Sequence, residues 1–274
     1  MYNKRMAILS LMVAFILSIS AGGSVLALDD DDDETIEVGV YWVMDYVEIN
    51  QTQYWIDLWD DEDDATGFAN TLEDEGWDVE FNEGDDDGIT QSDLEGDSGA
   101  ETVDICYFAG HGTPGHLILK DDCPPYQVDR VYYGDCTWGD GDLEWIMMHS
   151  CSTLYYDDDA SGQKTNGMFA NALDGIRIIC GAHTVMYTDT EAGSNVANYL
   201  VDDDGGGADE AYMVVDSWFL GMDQTHGSSI TLRALGETYG ILDNDYIWGQ
   251  GSGPNSYPFT VDNYYYSFTY NCED

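Results

Sequence analysis

The sequence predicts an α/β fold with a mainly parallel sheet covered on both faces. Two observations carry this. Short apolar runs that read as buried strands alternate with segments whose apolar residues recur at helical spacing. Strand and helix patterns in alternation are the mark of crossover connections between parallel strands. The chain, at 274 residues, is long enough to bury a sizeable core around such a sheet.

The elements follow in order. Residues 36–43 alternate and read as the first strand. Phe68, Leu72 and Trp77 are spaced for a helix over 65–77, and 77–81 reads as a second strand. Residues 84–99 are acidic and glycine-rich and are expected to be a loop. Val103-Asp104-Ile105-Cys106-Tyr107-Phe108 and Leu143-Glu144-Trp145-Ile146-Met147-Met148 are the next two buried strands. A short helix is expected over 166–173, with Asn166 as its cap. A strand over 176–182 ends at His183. Helices are expected over 191–201 and 211–222, with a loop over 202–209 between them. Strands over 229–235 and 264–270 close the chain, and no internal repeat is present.

The N-terminus reads as an export signal. Lys4 and Arg5 precede an apolar stretch over 6–19, and Val25-Leu26-Ala27 resembles a signal-peptidase site. The expected organisation is a signal peptide over 1–27, an acidic linker over 28–35 and a single domain over 36–274. The apolar stretch is short for a membrane span, although retention as an uncleaved anchor is the alternative. The expected location is therefore secreted or cell-surface.

The charge is extreme: 55 acidic against 7 basic residues, a formal net charge of −48. Such a charge repels nucleic-acid phosphates and anionic lipid, so neither is expected as a partner. It also opposes compaction unless salt screens it, and at 1 M salt the Debye length is only about 3 Å. Aromatic residues at 13% and regular apolar runs argue against disorder. A chain adapted to high salt is the expectation.

An exported chain permits disulfides among its six cysteines. Cys123 and Cys136 flank a turn-rich segment containing Pro124, Pro125 and Gly134 and are the expected pair. Cys106 and Cys180 lie inside strand-like runs and are expected in the core. Three bridges would occupy all six and consume Cys151.

The chemistry concentrates in two short stretches. Phe108-Ala109-Gly110-His111-Gly112 ends one strand and His149-Ser150-Cys151 ends another. Ligands gather at the carboxyl ends of strands in open α/β sheets. A cysteine attacks as thiolate and needs a neighbouring base or cation, which histidine supplies. A glycine after the histidine lets the backbone approach a substrate closely. His149 stands two residues before Cys151 and His183 ends the following strand, so both are candidate neighbours of the site. His116 is placed to orient the loop after Gly115, and His226 reads as a surface residue.

Here the flanks resemble a known family. A buried strand ending in His-Gly, followed by one ending in Cys, is the pattern of the caspase-like cysteine peptidases: caspases, legumains, gingipains and clostripains. Tyr107-Phe108-Ala109-Gly110-His111-Gly112-Thr113-Pro114-Gly115 is especially similar to the legumain and gingipain histidine motif. The whole chain also resembles uncharacterised secreted caspase-like proteins. The resemblance implies a three-layer caspase-like sandwich and a dyad of His111 as acid and base with Cys151 as nucleophile. It implies Gly112 and Cys151 N–H groups as the oxyanion hole, and a peptide or protein substrate. Caspases place Gln-Ala and legumains Glu-Ala before the cysteine, whereas this chain has His149-Ser150. A catalytically inactive surface-binding or structural module therefore stands as the alternative.

No cofactor is expected. His-Glu-x-x-His and paired Cys-x-x-Cys spacings are missing from the sequence, which argues against a transition metal. Calcium is the remaining option, since Asp157-Asp158-Asp159 and Asp202-Asp203-Asp204 cluster hard oxygens. Gly96-Asp97-Ser98-Gly99 imitates a serine-protease segment, but that chemistry needs a histidine upstream and every histidine lies at 111 or later. Asn50-Gln51-Thr52 fits the N-glycosylation sequon.

Overall fold

Strand β1 (Glu37–Trp42) is buried along its whole length, because it lies inside a sheet with cover on both faces. It pairs in parallel with β2 (Asp78–Gly84) on one side and β3 (Ile105–Ala109) on the other. Next to β3 lie β7 (Trp145–His149) and β8 (Ile178–Ala182), also parallel. Beyond β8 the sheet turns antiparallel, through β9 (Thr231–Gly236) and β10 (Tyr266–Asn271). The seven-stranded order is β10-β9-β8-β7-β3-β1-β2. This is the mainly parallel α/β sandwich that the strand and helix patterns predict, and it is consistent with a caspase-like one.

These statements come from a computed structural model, which describes residues 36–46, 57–84, 88–95, 98–120, 129–155, 169, 171–173, 175–201, 211–236, 238–247 and 265–273. The expected signal peptide, acidic linker, glycosylation sequon, Asn166 cap, aspartate triplets and Cys123 all lie outside the described residues. Among the described residues no helix is long and apolar enough to cross a membrane.

Alternation along each strand splits the core into two layers. Val38, Val40, Tyr107 and Met147 point to one face, under α1 (Asp61–Asp74), α3 (Ala192–Val201) and α4 (Val214–Asp223). Helix α1 lays Ala65, Phe68, Ala69 and Leu72 on the sheet, an i, i+3, i+4, i+7 stripe. Its acidic first turn suits the positive end of the helix dipole. The other face, with Tyr41, Cys106, Phe108, Ile146 and Met148, is covered differently. A short helix α2 (Gln91–Glu95) and a three-stranded antiparallel sheet pack there. That sheet comprises β4 (Gly112–Thr113), β5 (His116–Lys120) and β6 (Asp129–Tyr132). Neither it nor α2 is apparent in the sequence pattern, since three consecutive apolar residues, Leu117-Ile118-Leu119, leave no clear period. A last short helix, α5 (Tyr239–Leu242), follows β9 and is capped by the Thr238 hydroxyl accepting from Ile241 N–H.

Two cysteine expectations meet the structure here. Cys106 and Cys180 are fully buried core thiols, as their strand positions predict. Cys136 is a buried thiol that donates to the Tyr132 carbonyl at 3.3 Å, and its expected partner Cys123 lies outside the described residues. It sits in an apolar layer against Tyr133 and Trp138.

Candidate functional site

The register of β3 and β7 places the two motifs together. Ala109 and His149 are directly paired across these parallel strands, which lie about 4.8 Å apart in any sheet. His111 and Cys151 each stand two residues beyond that pair, at the carboxyl ends of adjacent strands. The tips are tied to one another. Gly110 N–H donates to the His149 carbonyl at 3.4 Å, and the Ser150 hydroxyl donates to the Gly110 carbonyl at 2.6 Å. Both motifs line one cleft of about 310 Å³, whose walls also include Leu58, Asp61 and the segment 185–188. Every contributor leaves the sheet at the carboxyl end of a parallel strand, where α/β ligand sites form.

Each side of the cleft has a local reason for its shape. Ser152, directly after Cys151, has φ +54°, the one non-glycine residue with positive φ among the described residues. That conformation turns the chain sharply after the strand at a cost of about 1–2 kcal/mol. Ser152 N–H is held by the Thr184 carbonyl at 2.8 Å. On the facing side, a Cβ added to Gly112 would lie 2.6 Å from Thr153 Cγ2 and 2.9 Å from the Cys151 carbonyl oxygen. Only glycine allows the histidine loop to pack backbone to backbone on the cysteine loop. Because His111 and Ile118 form the hydrogen-bonded register, the Gly112 N–H faces away from β5. The His111 backbone N–H donates to the Tyr46 hydroxyl at 2.9 Å, and its ring packs on Tyr46 at 4.6 Å between centroids.

Cys151 is half-buried, and its thiol donates to the Met186 carbonyl at 3.3 Å. Burial pushes this thiol up from its ordinary value, the Met186 backbone opposes the rise and Asp61 adds to it.

Behind the sulfur lies a cluster of buried charge. Asp61 and Asp64, one turn apart on α1, both turn inward. His149 Nδ1 pairs with Asp64 Oδ2 at 2.7 Å. Its Nε2 lies 3.0 Å from the Tyr187 carbonyl and 3.1 Å from His226 Nε2. Burial draws the His149 imidazole down, but the Asp64 carboxylate outweighs it and the net shift is upward. Burial, with the His149 charge beside it, pushes His226 down to about 3. Asp61 is 2% exposed, lines the cleft, and its Oδ2 has no hydrogen-bond partner among the described residues. Burial pushes its carboxyl up to about 8, with His149 opposing and Asp64 and Asp60 adding.

The structure thus brings His111, Gly112, His149 and Cys151 to one place and leaves His183 aside. His183 stacks on Tyr155 at 4.8 Å between centroids and does not line the cleft. His116 opens strand β5, where a loop after Gly115 is expected, and bonds back to Thr113 Oγ1 at 2.6 Å across the preceding turn. His226 is 5% exposed and packed on His149, correcting its reading as a surface residue. Asp61 and Asp64 are invisible in sequence because they sit in a run of acids whose other members face solvent. Among the described residues no group of three or more His, Cys, Asp or Glu side chains is arranged to hold a metal.

A family model described as "Domain of unknown function (DUF6345)" matches residues 41–267. No curated protein matches the chain. Among solved structures the chain is similar to a secreted C11 cysteine protease from Bacteroides thetaiotaomicron in complex with an irreversible peptide inhibitor. The two share 8% identity at a TM-score of 0.37, over 74% of this chain and 66% of that one, just under two thirds of its length.

Proposed function

The chain belongs to the DUF6345 family, and from its own cleft we propose that it is an exported cysteine peptidase working in high salt. The observation that carries the reading is the shared offset: His111 and Cys151 both stand two residues past the paired Ala109 and His149 and line one cleft. In this reading His111 takes the thiol proton as substrate enters and the Cys151 sulfur attacks the peptide carbonyl carbon. The oxyanion is received by the Gly112 and Cys151 N–H groups. The C–N bond then breaks as His111 returns the proton to the leaving amine. Water, deprotonated by His111, hydrolyses the thioester and frees the thiol. Asp61, an acid lining the cleft of a strongly acidic protein, favours substrates with Lys or Arg at the cut, whose positive charge would draw it into its ionised form.

Export rests on the N-terminal segment, and salt adaptation on the net charge of −48. A second reading, an inactive binding module, is favoured by one observation: the resting thiol is bonded to Met186. Cleavage of a peptide library at molar salt, by the wild type and by Cys151→Ala, separates the two. Loss of all cleavage in the variant supports the peptidase. Equal cleavage by both, or none by the wild type, ends it.

A further inference from the structure

We infer that Asp64 and His149 are a positioning pair, which holds the 186–187 wall of the cleft against Cys151 through a doubly protonated imidazole. The inference rests on Cys151 being the reactive group of the cleft, as proposed above. The partners of His149 fix its protons. Asp64 Oδ1 accepts the Gly193 N–H at 2.5 Å, and Oδ2 accepts the Tyr107 hydroxyl at 3.0 Å. A carboxylate engaged as an acceptor on both oxygens requires Nδ1 of His149 to donate. On the far side of the ring, Nε2 meets the Tyr187 carbonyl, which can only accept, at 3.0 Å. We assign the Nε2 proton to this bond, with His226 Nε2 beside it as an acceptor, against the alternative of a neutral His149 whose Nε2 accepts from His226 and leaves the Tyr187 carbonyl without that donor. An imidazole between two acceptors is an imidazolium.

This cation links helix α1 to the cleft wall. Tyr187 C=O points at His149, and the preceding carbonyl, of Met186, points at the Cys151 thiol. The side chains of Val185 and Tyr187 turn outward instead, at 57% and 66% exposure. The segment thus has little apolar anchorage of its own beyond Met186, and it is held inward by these two hydrogen bonds and by Thr188 Oγ1 donating to Asp60 Oδ2 at 3.2 Å, and one of the three needs the His149 proton. The titratable groups around the ring are Asp61 and Asp64 from α1, Tyr107 from β3, Cys151 beyond β7 and His226 beyond α4. Asp64 is the decisive one. Raised above the ordinary histidine value of about 6.5, the proton is present at low pH and is lost as pH rises through the shifted value, which releases the wall.

The test uses the full chain at molar salt. Imidazole 15N spectra should show both ring nitrogens of His149 protonated above pH 6.5. The rate of Cys151 alkylation by iodoacetamide, located by peptide mass spectrometry, should carry a second rise with pH beyond thiol ionisation. Asp64→Asn should move both the titration and that rise to lower pH. With a cleavable peptide, the same variant should lower kcat on the order of 10²-fold with little change in KM, as a displaced catalytic wall does. A neutral His149 at pH 6.5 overturns the inference even if Asp64→Asn fails to fold, and so does an alkylation profile that the variant leaves in place. Alkylation needs no peptide cleavage. A protein that cleaves nothing but keeps an Asp64-dependent profile contradicts the peptidase reading alone.

Discussion

Two buried ion pairs sit at opposite ends of the same strands, and they differ in completeness. At the amino end of β7 and β8, Arg177 grips Asp245 with two hydrogen bonds, Nε to Oδ2 at 2.7 Å and Nη2 to Oδ1. Trp145 Nε1 donates to the same carboxylate at 3.0 Å. Both oxygens of the Asp245 carboxylate are bonded, and Glu144 adds a second negative charge near Arg177. At the carboxyl end, Asp64 and His149 pair, and Asp61, which lines the cleft, adds an acid whose Oδ2 is buried with no hydrogen-bond partner among the described residues. A buried polar atom left without a partner costs stability, and groups of this kind cluster at functional sites.

The comparison can be broken at either end. Arg177→Ala leaves Asp245 buried and uncompensated and should cost about 3–5 kcal/mol, seen as a large fall in Tm with no effect specific to the cleft. Asp61→Asn should do the reverse. An acid whose folded pKa is raised loses stability as pH climbs from its unfolded value of 3.8 through about 8. The variant should therefore gain on the order of 5 kcal/mol over wild type at pH 8, gain little at pH 4, and lose preference for cationic substrates. An Asp61→Asn protein less stable at pH 8 contradicts this account.

Smaller effects sharpen the picture. Gly112→Ala forces Thr153 and the Cys151 carbonyl apart and should cost about 1–3 kcal/mol along with activity. Gly134→Ala, with nothing within 4 Å of the added Cβ, is the neutral control. Tyr46→Phe removes the acceptor of the His111 N–H and should cost about 1 kcal/mol by denaturant titration, with a modest fall in cleavage rate.

The sheet was legible because its strands are short apolar runs with little competition from other patterns. The helices over 61–74, 192–201 and 214–223 were legible from Phe68 and Leu72, from Val196 and Leu200, and from Trp218 and Met222. The apolar spacing starts α1 only at 65, because the acidic first turn from Asp61 carries no apolar residue to mark it. The small sheet over 112–132 escaped because its strands are two to five residues long and carry turn residues between them. At the site, the histidine and cysteine were found by position at strand ends. Asp61, Asp64 and His226 were not, because burial that turns an ordinary acid or histidine into a site component arises only when α1 and the turn after α4 dock over β7.

The most direct measurement is covalent labelling by an electrophilic peptide ending in Lys or Arg at molar salt, read by intact mass and peptide mapping. The account predicts one label on Cys151 of the wild type, and loss of that label in His111→Ala while iodoacetamide still alkylates the sulfur. Equal labelling of His111→Ala, or a label on another residue, contradicts it.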